Sequence, residues 1–144
     1  CYCEDVDLGY RLRLIGEATL FVPQAVVSHV GSAVLGARSD FALFHGARNR
    51  LWLLVKNTPW PLVPVVALLH VPVLALLLVM HAMRGEARPV LRGLLAGFAG
   101  LGPMLTTRRP IQAVRTASAG TILRAMAISP LTLARRSAVI RPTP

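Results

Sequence analysis

Charged residues are scarce in this chain, at 15% of 144, and acidic ones are scarcer, with six Asp and Glu in all. A charged share below the usual ~25%, beside an apolar share of 54%, excludes intrinsic disorder, which needs low hydrophobicity and high charge. It also argues against an ordinary soluble domain. Cysteine is nearly absent, with only Cys1 and Cys3. A single C-x-C pair without a second pair or clustered His is a poor zinc site. A disulfide between them would be strained, so both read as free thiols in a reducing compartment. Aromatics are 6%, and no recognised motif accompanies the basic charge, so no nucleic acid is expected as a partner. The chain shows no initial Met and no signal-peptide pattern. It opens inside a motif-like run, Cys1–Asp7, and so reads as the C-terminal part of a longer protein.

What is present is arginine and apolar sequence, unevenly placed. Sixteen basic residues, fifteen of them Arg, face six acidic ones, for a net charge of +10. Residues 1–60 hold six basic and five acidic residues; residues 61–144 hold ten basic residues and one acid, Glu86. The chain therefore divides into a first segment, 1–60, and an apolar, Arg-rich second segment, 61–144. Arginine flanking greasy sequence fits an anionic membrane surface, so membrane lipids are expected partners.

The pattern predicts a helix over residues 4–15, with acids in its first turn where the helix dipole favours them, and Gly16 as its stop. Thr19–Val22 and Ala25–Ser28 read as short strands split by Pro23 and Gln24. A two-glycine loop, Gly31–Ala37, follows. Ser39 can cap the next helix, which carries Phe41, Phe44, Leu51 and Val55 on one stripe and His45, Arg48, Asn49 and Trp52 on another. Asn57, Pro59 and Pro61 end it. Residues 62–83 contain no Asp, Glu, Lys or Arg and as a helix would reach ~33 Å, about one bilayer core. Gly93–Thr107 is a shorter, Gly-rich apolar stretch, and residues 111–128 read as an amphipathic interfacial helix.

Chemistry could sit in four places. Glu4, Asp5 and Asp7 crowd three of the six acids together, so a shared proton, a cation or a basic partner is expected there, or else a solvated helix start. His29 stands at a strand end before the glycine loop, where ligands and catalytic groups often lie, although a lone His is commonly structural. His45 and Arg48 on one helix face could contact a diphosphate, since guanidinium forks match phosphate oxygens. His70 and His81 lie in the apolar run and read as packing or interface residues.

The run Tyr2-Cys3-Glu4-Asp5-Val6-Asp7-Leu8-Gly9-Tyr10-Arg11-Leu12 resembles the Glu-Asp-x-Asp-Leu motif of glycosyltransferase family 2, most closely its bacterial rhamnosyltransferase-like branch. Gly16, Pro23, Ala25-Val26-Val27-Ser28-His29, Ser32, Gly36, Arg48-Asn49-Arg50 and Asn57 follow in that family's order. The resemblance covers residues 1–60; beyond them it is compositional. It implies the C-terminal portion of an α/β, Rossmann-like GT-A domain, followed by an α-helical membrane-associating tail. It also implies a nucleotide-sugar donor, a divalent metal (Mg²⁺ or Mn²⁺) and inversion at the anomeric centre. Asp5 then matches the general base, with Glu4 and Asp7 shaping the site and Arg11 balancing their charge. His29 matches a metal-binding place, and Arg48 and Asn49 match the family's Arg-Asn pair at the site mouth. Most of the metal site belongs to an upstream Asp-x-Asp in the donor-binding half, which this chain lacks. Without that half the chain alone is expected to be inactive.

The expected function is thus that of a fragment of an inverting glycosyltransferase serving cell-wall or surface-polysaccharide assembly. Its acceptor would be a polyprenyl-linked or other glycan, and its place the cytoplasmic face of the bacterial inner membrane. The rival reading is a small membrane-associated interaction protein without enzyme activity.

Overall fold

The structure is a computed structural model that describes residues 2–20, 22–26 and 39–126. Six α-helices carry the fold: α1 Glu4–Leu14, α2 Asp40–Asn57, α3 Val63–Met83, α4 Ala87–Ala99, α5 Leu101–Ala113 and α6 Ala119–Ala125. A 3-10 turn, Trp60–Leu62, joins α2 to α3.

The sheet expected from the α/β reading is absent among the described residues, which are helical or irregular. This corrects the GT-A, Rossmann-like expectation for the described part of the chain. Leu20, Val22 and Val26 are exposed, and Ala25 N–H donates back to Val22 O at 3.0 Å in a turn around Pro23 and Gln24. β-propensity measures fit to a half-buried pleated surface. These short runs have no neighbouring strand among the described residues to provide one. Phe21, Val27 and Ser28 lie outside the described residues.

Helix ends follow local chemistry. Acids fill the first turn of α1, and Arg11 and Arg13 its last, both favourable to the dipole. Gly16, at φ +90°, ends it, and Glu17 N–H reaches back to Leu12 O at 2.9 Å. That closure needs a residue free of a Cβ penalty. Ser39 caps α2, its hydroxyl accepting from Ala42 N–H at 3.2 Å. The predicted helix over 111–128 is instead split. α5 runs on to Ala113, and Ser118 starts α6 by accepting from Thr121 N–H at 3.1 Å.

The main contact lies between α2 and α4, and glycine permits it. A Cβ at Gly93 would overlap the Phe44 carbonyl oxygen; one at Gly97 would lie 3.1 Å from Leu51 Cδ2, and one at Gly100 2.6 Å from Trp52 Cζ2. The spacing i, i+4, i+7 puts all three on one face of the α4 path, so the backbones approach closely. At Gly100 the path bends by 62° into α5. Trp52 Nε1 donates to Gly97 O at 2.9 Å, satisfying a carbonyl in the last turn of α4, where helical partners run out.

α5 in turn closes the end of α2. Arg108 Nη1 donates to Val55 O at 2.6 Å. Gln112 Nε2 donates to Lys56 O at 3.2 Å and Asn57 O at 2.9 Å. These are carbonyls a helix terminus leaves unpaired, and a cation suits the negative end of the dipole. Beneath them lies a small core of Leu14, Leu62, Ile111, Ala117 and Ile122. Leu14 O, at the end of α1, accepts from Thr116 and Ala117 N–H, both at 3.0 Å. α1, the 3-10 turn before α3 and the α5–α6 region thus share one interior.

α3 is different. Trp60–Met83 is the one unbroken helical stretch among the described residues long and apolar enough to cross a membrane, and almost none of it is buried; α4 and α5 qualify only when taken together across their 62° bend. Between α2 and α3, floored by α4 and α5, runs an apolar groove of about 330 Å³ lined by Leu54, Val66, His70, Phe98 and Leu105, with Thr58 and Arg108 near the α2–α3 turn.

Candidate active site

α1 begins under strain. Tyr2 and Cys3 both adopt positive φ, 67° and 68°, a region that costs non-glycine residues energy and that persists where the surroundings hold it. Two contacts hold it here. Asn49 Nδ2 donates to Tyr2 O at 3.0 Å, and the Tyr2 ring packs near Phe41, 6.3 Å between centroids. The segment that opens α1 is therefore docked on α2 at Phe41 and Asn49.

The three acids have separate environments. Asp7 is bound: Asn57 Nδ2 donates to its Oδ1 at 2.7 Å, Lys56 Nζ lies 3.0 Å from the same oxygen, and Arg11 lies 3.6 Å from Oδ2. Burial acts to raise its pKa, but the hydrogen bonds from Asn57 and Lys56, with the Lys56 and Arg11 charges, outweigh it. The carboxyl is held below the usual carboxylate range. The crowding expected of three carboxylates is thus relieved by basic partners. Glu4 and Asp5 are exposed in the first turn, and neither makes an ion pair among the described residues. Burial pushes the neighbouring Cys3 thiol above its ordinary pKa; Arg50 opposes this, and Asp5, Glu4 and Asp7 add to it.

On α2, Arg48 lies over Trp52, 4.3 Å from guanidinium carbon to ring centroid, and over Phe44 at 5.6 Å. Its Nε donates to Asn49 Oδ1 at 3.0 Å. Stacking and this hydrogen bond fix the guanidinium plane. The His45 ring packs at a tilt on Phe41, 4.2 Å between centroids, and meets Phe44 edge to face at 5.0 Å. Desolvation and the Arg48 charge push its pKa down. The structure brings Asp7 to Lys56 and Asn57 at the end of α2, holds Arg11 with Asp7, ties Asn49 to the backbone at Tyr2, and shows no hydrogen bond or ion pair of Glu4 or Asp5 with His45, Arg48 or Asn49 among the described residues. His29 lies outside the described residues.

Sequence reasoning missed the polar node behind Asp7. Asn57, Thr58 and Arg108 are buried, as is the Tyr10 hydroxyl. Arg108 stacks on Trp60 at 4.1 Å. Tyr10 has its pKa raised by burial, against the lowering effects of Thr58 and Arg108. The usable signal was Lys56-Asn57 directly before the prolines. Two polar residues closing a helix ahead of an apolar run need buried partners.

No group of three or more His, Cys, Asp or Glu among the described residues comes together to hold a metal. The described residues do not by themselves form the expected Mg²⁺ or Mn²⁺ site, and what they offer is two exposed carboxylates, Glu4 and Asp5, in the first turn of α1 and, on α2, a guanidinium fixed by stacking. No protein-family model matches the chain, and neither a curated protein nor a solved structure does.

Proposed function

We propose that this chain is the acceptor-side part of an inverting glycosyltransferase that works at a membrane, with Asp5 as its general base. The reading rests on the family-2 motif resemblance. The observation that carries it is the division of labour at the start of α1: Asp7 is consumed in ion pairs and a hydrogen bond that hold α1 to the end of α2, while Asp5 stays exposed in the first turn of a helix whose start is tied to Asn49 through Tyr2 O.

A sugar hydroxyl is a poor nucleophile until a carboxylate within hydrogen-bond reach takes its proton. Asp5 would accept that proton as the acceptor oxygen bonds to the anomeric carbon of the nucleotide-sugar. The bond from that carbon to the diphosphate oxygen breaks on the opposite face, and the nucleoside diphosphate leaves with the electron pair. Glu4 shapes the same opening, and Arg48 offers anion contact. His29 would join the metal that the donor-binding half mostly supplies. An exposed apolar α3 and a basic second segment favour a polyprenyl-linked acceptor and a place at the cytoplasmic face of the bacterial inner membrane.

The test uses the polypeptide that carries this chain together with its donor-binding half. Asp5→Asn should abolish sugar transfer while nucleotide-sugar binding survives, because the amide keeps the shape and cannot take a proton. Near-normal transfer by that variant removes Asp5 from the role. A polypeptide that binds membranes and partner proteins but turns over no nucleotide-sugar favours the non-enzymatic alternative.

A further inference from the structure

A 21-residue apolar helix such as α3 is ordinarily read as a membrane crossing, but the packing around it limits where its far end can go. Only Thr58, Pro59 and the 3-10 turn Trp60–Leu62 separate α3 from the end of α2, and at a helical rise of about 1.5 Å per residue α3 is about 31 Å long. Its far end is closed by a tight turn. Arg84 and Glu86 N–H both donate to His81 O, at 3.1 and 2.8 Å, Gly85 N–H donates to Ala82 O at 3.0 Å, and His81 Nδ1 meets Glu86 Oε2 at 2.9 Å. α4 begins at Ala87, and by Gly93 it is pressed on Phe44. Phe44 lies about 20 Å back along α2 from Asn57.

If α3 stood at right angles to α2, its end would be about 37 Å from Phe44, and pointing onward it would be about 50 Å away. The turn and the first two turns of α4 bridge about 20 Å. α3 is therefore folded back beside α2, with both of its ends near the two ends of that helix. It cannot cross a bilayer unless α2 and α4 cross with it. α2 carries Asp40, Arg48, Asn49, Arg50 and Lys56, and α4 carries exposed Arg88 and Arg92, a charge load that the hydrocarbon core rejects.

The remaining arrangement lays α3 along the surface. Its outward residues include Leu68, Leu76, Val79 and Met83, all exposed and none of them lining the groove. Arg84, Arg88 and Arg92 follow at once, also exposed, and Trp60 opens the stretch at 64% exposure. Apolar face, tryptophan anchor and flanking guanidinium groups match acyl chains, interface and lipid phosphates respectively.

We propose that α3 lies flat in one leaflet of an anionic bilayer, with both its ends on the side of the membrane where α1 and α2 stand. The assignment does not rest on the glycosyltransferase reading and survives its failure.

The test places single cysteines in the full chain after Cys1 and Cys3 are changed to Ser. Arg50→Cys marks α2 and Arg84→Cys marks the far end of α3; Met83→Cys takes the second role if Arg84→Cys does not accumulate. A membrane-impermeant maleimide is applied to intact spheroplasts and to inverted membrane vesicles, and the purified chain is floated with phosphatidylglycerol-containing vesicles. Flotation, with both positions labelled from the same side, is the expected result. Labelling of the α3 position from the opposite side, labelling there only after detergent, or recovery of the chain unbound in the flotation each overturns the proposal.

Discussion

Replacing Gly93 by Ala should weaken the fold although alanine is the better helix former. The added Cβ would overlap the Phe44 carbonyl oxygen and sit 3.1 Å from Ala47 Cβ. Both neighbours are fixed to the α2 backbone, so no rotamer change makes room and α4 must move outward. Overpacking of this kind costs about 1–3 kcal/mol. Moving α4 also stretches the Trp52–Gly97 hydrogen bond, worth about 0.5–1.5 kcal/mol. The gain in helix propensity, about 1 kcal/mol, offsets part of that, leaving a net loss of about 1–3 kcal/mol. Gly46 lies in α2 with nothing within 4 Å of an added Cβ. Gly46→Ala should therefore stabilise by about 0.5–1 kcal/mol. Urea unfolding in detergent micelles, followed by far-ultraviolet circular dichroism and by tryptophan fluorescence, measures both. Two variants shifting in the same direction, or Gly93→Ala matching the parent, would refute the close approach of α2 and α4.

Asp7 is held below the usual carboxylate range, so its contribution is fully present above about pH 4 and is lost as pH falls through the folded value. Asp7→Asn should cost about 1.5–3 kcal/mol near neutrality, and the gap to the parent should close on acidification; unfolding midpoints at a series of pH values check this. Arg108→Gln should cost about 1–3 kcal/mol by leaving Val55 O without its charged donor, read as a lowered urea midpoint. Trp52→Phe keeps the ring but loses the bond to Gly97 O, and should lower stability by about 1 kcal/mol, measured in the same way.

The helical parts of the fold were legible because their signals are local. Acids before Leu8 and Leu12, with Gly16 behind, placed α1; Ser39 before Asp40 placed α2; the uncharged run placed α3. What failed depended on partners distant in sequence. Thr19–Val22 has strand propensity, but propensity becomes a strand only beside another strand. Trp52 was read with His45, Arg48 and Asn49 on a second face of α2, apart from the apolar stripe, yet α4 covers it, because Gly93, Gly97 and Gly100 remove the side chains that would hold α4 away. That spacing stood in the sequence but registered only as glycine content. The acidic run was legible as a cluster, but the division between a bound Asp7 and an exposed Asp5 required knowing that Lys56 and Asn57 return to it.

The central claim is that Asp5, and not its neighbours, takes the proton from the acceptor. The direct measurement is the rate of labelled sugar transfer from nucleotide-sugars to a polyprenyl-diphosphate-linked acceptor, using the polypeptide with its donor-binding half. Parent, Asp5→Asn and Asp7→Asn are compared at a temperature where all three remain folded. Removal of a general base should slow transfer by about 10²–10⁴-fold, and Asp5→Asn should show that loss with nucleotide-sugar binding unchanged, while folded Asp7→Asn keeps substantial activity. Equal activity in parent and Asp5→Asn, or a loss confined to Asp7→Asn, would contradict the assignment.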